Sequence, residues 1–201
     1  EAKVVDLSSG QTLLSHPVTL FDGHRPALSA CLSTDGERVA IAGSEPNSLT
    51  IVSVADGSVS TKFDPGFEYC RLVRFDSTGR YLLLLEHYGD WGMKLIDVTR
   101  QEDVSSRFEL PRDEPPEDPS WRRTVAREIW SAALSPSGQR IAIREDETVH
   151  LLDVETGAHQ CKFVVEHVIK GRGTGGYYFA FTSENELVVR TDYGALSVYR
   201  V

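Results

Sequence analysis

A glycine-rich run is the segment of this sequence whose spacing comes closest to a known chemical motif. Residues 171–176 read Gly-Arg-Gly-Thr-Gly-Gly, which satisfies G-x-G-x-x-G, and Lys170 precedes them. A dinucleotide site needs a helix after these glycines, so that its first N–H groups meet the pyrophosphate. Residues 177–181 are Tyr-Tyr-Phe-Ala-Phe, which is a strand pattern. We therefore interpret the run as a loop whose glycines permit tight bends, with binding of a small anion as the alternative.

The other reactive side chains lack the spacings that build catalytic or metal sites. Six histidines and three cysteines occur without Cys-x-x-Cys or His-Glu-x-x-His, the patterns that place ligands on one side of an ion. A Gly-x-Ser-x-Gly nucleophile motif is also missing from the sequence. The acidic pairs Glu145/Glu147 and Glu184/Glu186 are expected in turns, where carboxylates are solvated. The sequence therefore predicts no catalytic residue, no metal and no cofactor.

Composition restricts the classes of partner. The chain has 201 residues, 40% of them apolar, and a formal net charge of −9, which opposes binding to nucleic acid or to anionic lipid. No apolar run reaches the 18 or so residues that a membrane helix needs. The three cysteines are odd in number and scattered, which favours a reducing compartment. We expect a cytoplasmic location and a protein partner, with neither nucleic acid nor membrane involved.

Two short phrases recur along the chain and predict its secondary structure. The first joins two alternating apolar runs through a polar turn and occurs at 29–41, 72–84, 131–143 and 178–189. Its turns contain Gly36, Gly79 and Gly138, and Asn185 takes the glycine's place in the fourth copy. Glycine and asparagine both tolerate the positive φ of a tight turn. We therefore expect four hairpins with a left-handed residue in each turn.

The second phrase is an apolar run that leads into another turn. It occurs at 3–10, 50–57, 94–99 and 150–157, with a clipped copy at 196–201. These runs are four to eight residues long and rich in β-branched and aromatic residues, so they are predicted to be strands. The turn residues of the first phrase are 43, 59 and 47 residues apart. A four-stranded propeller blade repeats about every 40–45 residues, so each interval corresponds to one blade, and the longest contains an insertion.

The residues at the ends of these runs resemble the WD-repeat family. A glycine-histidine pair precedes the first complete unit, aspartates occupy the family's terminal Asp position, and a tyrosine lies at its Trp position: Gly23, His24, Asp6, Asp97, Asp153 and Tyr199. The resemblance implies an all-β fold, a β-propeller of four-stranded antiparallel blades. It also implies a scaffold or sensor module that binds proteins and has no catalytic activity.

Counting strands predicts about four and a half blades within one β-propeller region, 1–201. The division is a partial blade, two blades, an insertion loop, a third blade and a second partial blade, at 1–20, 21–65, 66–110, 111–127, 128–170 and 171–201. These pieces do not tile a four-bladed ring. We therefore expect a portion of a larger propeller of seven or eight blades within a multidomain protein. Self-association through open blade edges is the alternative.

The insertion at 111–127 is the one break in composition. It holds four prolines, an acidic half and a basic end, so it cannot join a sheet and is expected to be exposed. It is either a solvated spacer or a contact loop. In the second interpretation Trp121, Arg122 and Arg123 form the binding site, because aromatic and arginine side chains are typical interface anchors.

Three functions remain open from the sequence. The first is the interaction module, which binds a protein partner or neighbouring domains of the same chain. The second is the propeller domain of an enzyme, of a redox or of a hydrolase- or peptidase-associated type, with a ligand at the central channel. The third is a purely structural role in which the blades pack against neighbouring domains.

Overall fold

The computed structural model describes residues 1–17, 29–42, 48–64, 70–86, 92–108, 129–145, 148–165, 178–190 and 196–201. Within these ranges the chain forms seventeen β-strands and one 3-10 turn, Ser105–Arg107. The strands form five antiparallel sheets of two, four, four, four and three strands, which we number 1 to 5 in chain order. The predicted all-β fold is confirmed, and the described sheets of two and three strands lie at either end of three four-stranded ones.

Each sheet is a simple meander of consecutive strands. Sheet 1 contains β1 (Ala2–Val5) and β2 (Thr12–His16). Sheet 2 contains β3 (Ser29–Leu32), β4 (Arg38–Ala42), β5 (Leu49–Ser53) and β6 (Val59–Phe63). Sheet 3 contains β7 (Cys70–Phe75), β8 (Tyr81–Glu86), β9 (Met93–Asp97) and β10 (Glu102–Asp103). Sheet 4 contains β11 (Ile129–Leu134), β12 (Arg140–Glu145), β13 (Thr148–Asp153) and β14 (His159–Val164). Sheet 5 contains β15 (Tyr178–Ser183), β16 (Glu186–Arg190) and β17 (Leu196–Arg200).

Neighbouring sheets pack face to face, and each of the four seams between them has its own apolar core. The run 81–85 on β8 shows why the central strands are apolar at every position. Leu82 and Leu84 face sheet 2, whereas Tyr81, Leu83 and Leu85 face sheet 4. A strand buried on both faces loses the alternation of a half-exposed strand. Stacking of twisted sheets in this way is the packing of a propeller.

At two of the seams the first strands of neighbouring sheets lie side by side. β3 packs against β7, and β11 packs against β15. The backbone N–H of Val73 on β7 donates to the Ser29 hydroxyl of β3 at 3.0 Å. Each of these strands is also the edge strand of its own sheet. This is the arrangement expected if the first strand of every blade is the one nearest the propeller axis.

The turns between the first and second strands follow one hydrogen-bonding scheme in sheets 2, 3 and 4. In sheet 4 the Ser135 N–H donates to the Arg140 carbonyl and the Gly138 N–H donates to the Ser135 carbonyl, both at 2.9 Å. Gly138 has φ +71°, a conformation that side chains other than glycine's rarely adopt. The predicted left-handed glycines of the first three copies are confirmed at 36, 79 and 138.

The fourth copy departs from the prediction. β15 ends at Ser183 and β16 begins at Glu186, so the turn contains two residues, Glu184 and Asn185. Asn185 has no positive φ, and the expectation of a left-handed asparagine was wrong. The pairing of β15 with β16 shifts register between Phe181 and Ser183. Such an irregularity changes the local path of the backbone, and the two-residue turn that follows needs no left-handed residue at Asn185.

Candidate functional site

The turn end of the seam between sheets 3 and 4 is the best-defined cluster of charged side chains in the described part of the chain. Its centre is Asp97, the last residue of β9, whose side chain is fully buried. One carboxylate oxygen, Oδ1, accepts hydrogen bonds from the backbone N–H groups of Thr99 and Arg100, both at 3.1 Å. The other, Oδ2, accepts the Nε and Nη2 hydrogens of Arg80 at 3.0 and 2.9 Å. Asp97 therefore closes its own turn and fixes Arg80 at the same time.

A second carboxylate extends this cluster across the seam. Glu155 belongs to the turn after β13 in sheet 4, and its Oε2 accepts the hydroxyl hydrogen of Tyr81 at 3.1 Å and an Nη2 hydrogen of Arg80 at 3.3 Å. Arg100 approaches the other Glu155 oxygen at 3.6 Å. The guanidinium of Arg80 also lies over the Tyr81 ring, 4.6 Å from its centroid. We call these five residues, Arg80, Tyr81, Asp97, Arg100 and Glu155, the seam network.

Both carboxylates of the seam network are held in the ionised form. Burial raises the pKa of Asp97, but the hydrogen bonds from Arg80 and the backbone of Arg100, with the positive charges of both arginines, outweigh it and lower that pKa below its ordinary value. The hydrogen bond from Tyr81 is the main cause that lowers the pKa of Glu155. Desolvation and the bond to Glu155 raise the pKa of Tyr81, so its hydroxyl stays a donor.

A cleft of about 520 Å³ opens beside the network. It is lined by Thr78, Arg80, Tyr81, Ser137, Gly138, Gln139, Asp153 and Glu155. The hydrogen bonds from the hydroxyl and backbone of Thr156 lower the pKa of Asp153, so the lining carries two anionic carboxylates and one guanidinium. No histidine or cysteine is among these lining residues, and the Ser137 hydroxyl donates to Glu184 at 2.9 Å. The cleft can bind charged groups through its two carboxylates and the Arg80 guanidinium.

The same end of the molecule is linked at the next seam as well. In the seam between sheets 4 and 5, Glu184 accepts hydrogen bonds from the hydroxyl and the backbone N–H of Ser137. Arg140 of sheet 4 donates to Asn185 Oδ1 at 3.2 Å and lies 3.9 Å from Glu184. In the seam between sheets 3 and 4, the Ser77 hydroxyl donates to the carbonyl of Pro136. The turns of sheets 3, 4 and 5 thus form one continuous hydrogen-bonded surface, which we call the turn face.

Two of the four acidic residues expected in turns lie in strands. Glu145 is the last residue of β12, opposite Thr148, and Glu186 is the first residue of β16, opposite Arg200. Those expectations were wrong because the hydrogen-bonded ladders extend one or two residues further than the apolar pattern indicates. Glu184 is in a turn as predicted, although it is bound to Ser137 and not merely solvated. Glu147 lies outside the described residues.

The predicted binding residues Trp121, Arg122 and Arg123 lie outside the described residues, as does the glycine-rich run 171–176. Of the seam network, sequence reasoning found Asp97, because it occupies the recurrent terminal position of the second phrase. Nothing in the spacing of Arg80 or Glu155 marks them, since their contact depends on which sheets stack together. Among the described residues, no helix is both long and apolar enough to cross a membrane.

The fold and its seams define a segment of a β-propeller. Neither a protein-family profile nor a curated protein sequence matches the chain. Among solved structures, it is similar to the β-propeller domain of Cps50 (Swd1) from Myceliophteria thermophila, with a TM-score of 0.59 and 18% sequence identity. The match covers 91% of this chain and 54% of that one, so the chain spans about half the length of that propeller. The β-propeller architecture that the WD-like repeats predict is confirmed.

Proposed function

We propose that this chain is a protein-interaction segment of a larger β-propeller and acts as a non-catalytic scaffold or sensor module. The observation that carries the proposal is the turn face, where side chains of three sheets are hydrogen-bonded to one another and hold charged groups in fixed positions. A rigid surface of this kind can bind a partner without large ordering costs. The charged lining of the cleft suits the binding of a group of complementary charge.

Exposed apolar residues on sheet 5 support the larger propeller. Leu196 and Val198 on β17 are 67% and 62% exposed. Tyr199, the next residue on the strand, packs instead toward sheet 4. The face that carries Leu196 and Val198 therefore points away from the described sheets. In a longer propeller a further sheet would cover it, whereas in the alternative of self-association a second copy would do so.

The partner surface we infer is basic. The chain carries a net charge of −9, and Asp153 and Glu155 present ionised carboxylates to the cleft. A lysine or arginine side chain of a protein partner, placed in the cleft, would meet both of them. A cytoplasmic location belongs to the same proposal. The loop residues Trp121, Arg122 and Arg123 remain the second proposed contact.

Affinity enrichment with matched variants tests the proposal and separates its two contact surfaces. The wild-type chain, Glu155→Gln, and the triple variant Trp121→Ala with Arg122→Ala and Arg123→Ala are used as baits in lysate of the source organism, with quantitative mass spectrometry. Arg74→Ala is the control, because Arg74 is exposed on β7 and lies in neither surface.

A partner enriched by the wild type and by Arg74→Ala, and lost with Glu155→Gln, assigns binding to the cleft. Loss with the triple variant alone assigns it to the insertion. Equal enrichment by all four baits would exclude both surfaces. A wild-type chain that enriches no protein above an unrelated bait would contradict the interaction function itself.

A further inference from the structure

Two histidines of sheet 4, neither of which belongs to the seam network, lie in direct contact. His150 is on β13 and His159 is on β14, and their atoms Nδ1 and Nε2 are 3.2 Å apart. The rings are inclined at 65° with centroids 5.4 Å apart. A register shift between Leu151 and Leu152 places His159 opposite Leu152, two pairs along the ladder from His150, so the two imidazoles meet diagonally.

The surroundings of His150 orient its ring. Its side chain is buried, and its second nitrogen, Nε2, faces the carboxylate of Glu145 at 3.6 Å. A carboxylate at this position favours the tautomer with the proton on Nε2, which leaves the lone pair of Nδ1 directed at His159. His159 is exposed on the last strand of its sheet, so the point between the two nitrogens is open to solvent on one side.

We propose that His150 and His159 bind a divalent cation of the kind that prefers imidazole ligands, such as Zn²⁺ or Ni²⁺. The two nitrogens are 3.2 Å apart. With metal–nitrogen bonds of about 2.0–2.1 Å, the nitrogen–metal–nitrogen angle would be about 100°, close to that of a tetrahedral ion. The two rings are thus already spaced as ligands. The Glu145 carboxylate lies 3.6 Å from Nε2, on the side where metal-bound histidines commonly have a hydrogen-bond acceptor.

The site offers two protein ligands, and water completes the coordination. Among the residues that the structure describes, no group of three or more histidine, cysteine, aspartate or glutamate side chains surrounds a common point. The affinity is therefore below that of a structural zinc site with four protein ligands. Spacing rules miss this pair because the two residues are nine apart along a hairpin, and only the register of β13 and β14 brings them together.

Titration of the untagged chain with Zn²⁺ by calorimetry, alongside nitrogen NMR of the histidine rings, tests the proposal. We expect saturable binding and a coordination shift at Nδ1 of His150 and Nε2 of His159. His159→Gln should weaken binding at least about tenfold, the loss that even outer-sphere partners of a ligand cause. His150→Gln should do the same, and Glu145→Gln should weaken binding by a smaller factor.

His16→Gln is the matched control, because His16 lies on β2 of sheet 1 and should leave the titration unchanged. Circular dichroism of each variant shows whether it is folded. Replacing the buried His150 could destabilise the chain, so the result for the exposed His159 decides the test. Zn²⁺ binding that is absent in the wild type, or that is unchanged in a folded His159→Gln, would overturn the proposal and leave the pair as a hydrogen bond between two imidazoles.

Discussion

The seam between sheets 2 and 3 and the seam between sheets 3 and 4 have similar interiors and different turn ends. Both interiors are apolar and share sheet 3, whose strands supply alternate residues to each. At the turn end of the first seam, Arg38 lies over the ring of Phe75, 5.5 Å from its centroid, and pairs with Asp35 of its own turn at 3.7 Å. At the second, Tyr81 takes the place of Arg38 and reaches Glu155 in the next sheet.

The strand register shows that Arg38 and Tyr81 occupy equivalent positions in their sheets. Arg38 is paired with Ser53, and Tyr81 is paired with Asp97. A small hydroxyl residue in one sheet thus corresponds to a buried carboxylate in the other. Burial of apolar surface suffices to stack the sheets at both seams. The comparison indicates that the charged groups of the second seam stabilise it beyond what apolar burial provides. Removing them should therefore lower the free energy of unfolding more than an equivalent change at the first seam.

Replacement of the buried carboxylate should have the largest effect. Asp97→Ala leaves the Arg80 guanidinium and two backbone N–H groups without their acceptor, and we expect a loss of about 3 kcal/mol in the free energy of unfolding. Urea denaturation followed by circular dichroism measures it. Ser53→Ala, at the corresponding position of sheet 2, is the control and should cost well under half as much. Equal losses would show that the two turn ends are energetically alike.

The next largest difference is expected between two turn glycines. A Cβ at Gly138 would meet the carboxylate of Asp76 and lie 3.3 Å from the Tyr81 ring, whereas a Cβ at Gly36 would meet no atom within 4 Å. Both residues have positive φ. We expect Gly36→Ala to cost about 1 kcal/mol through backbone strain alone, and Gly138→Ala about 2 kcal/mol because crowding across the seam is added. Thermal unfolding of the two variants compares them, and identical midpoints would argue against close packing at the second seam.

A smaller, stabilising effect is expected in the turn after β9. Gln101 has φ +56° and lies four residues after Asp97, where sheets 2 and 4 have a glycine after Ser53 and Asp153. Gln101→Gly relieves the left-handed strain of a residue with a side chain, and we expect a gain of up to about 1 kcal/mol. Differential scanning calorimetry should show a higher midpoint. A lower midpoint would mean that contacts of the Gln101 side chain outweigh the strain.

The pH dependence is the smallest expected difference. The pKa of Asp97 is lower in the folded chain than its ordinary value, so its contribution is complete above about pH 4 and is lost as the pH falls through the folded-state pKa. Asp97→Asn should therefore flatten the loss of stability on acidification. Ser53→Ala should follow the wild type. Urea midpoints measured from neutral to acidic pH compare the three chains, and parallel curves for Asp97→Asn and wild type would contradict the assignment.

Much of this architecture can be predicted from the sequence, because turns and strands are local. Gly36, Gly79 and Gly138 mark turns whose conformation only glycine adopts readily, and the adjoining apolar runs have strand length. The short β10 and the left-handed Gln101 carry no such mark, since Gln101 stands where the other copies have glycine. The contact of Arg80 with Glu155 is a property of two stacked sheets. The same is true of His150 and His159, whose approach depends on a register shift.

The central claim is that the sheets stack face to face, with the first strands side by side between sheets 2 and 3 and between sheets 4 and 5. Nuclear Overhauser contacts in the isotope-labelled chain test it most directly, because the Val73 N–H donates to the Ser29 hydroxyl across 44 residues of sequence. We predict contacts between the Val73 amide proton and the Ser29 side chain, and between β11 and β15. Absence of both, with β7 in contact with β8 alone, would contradict the stacked arrangement.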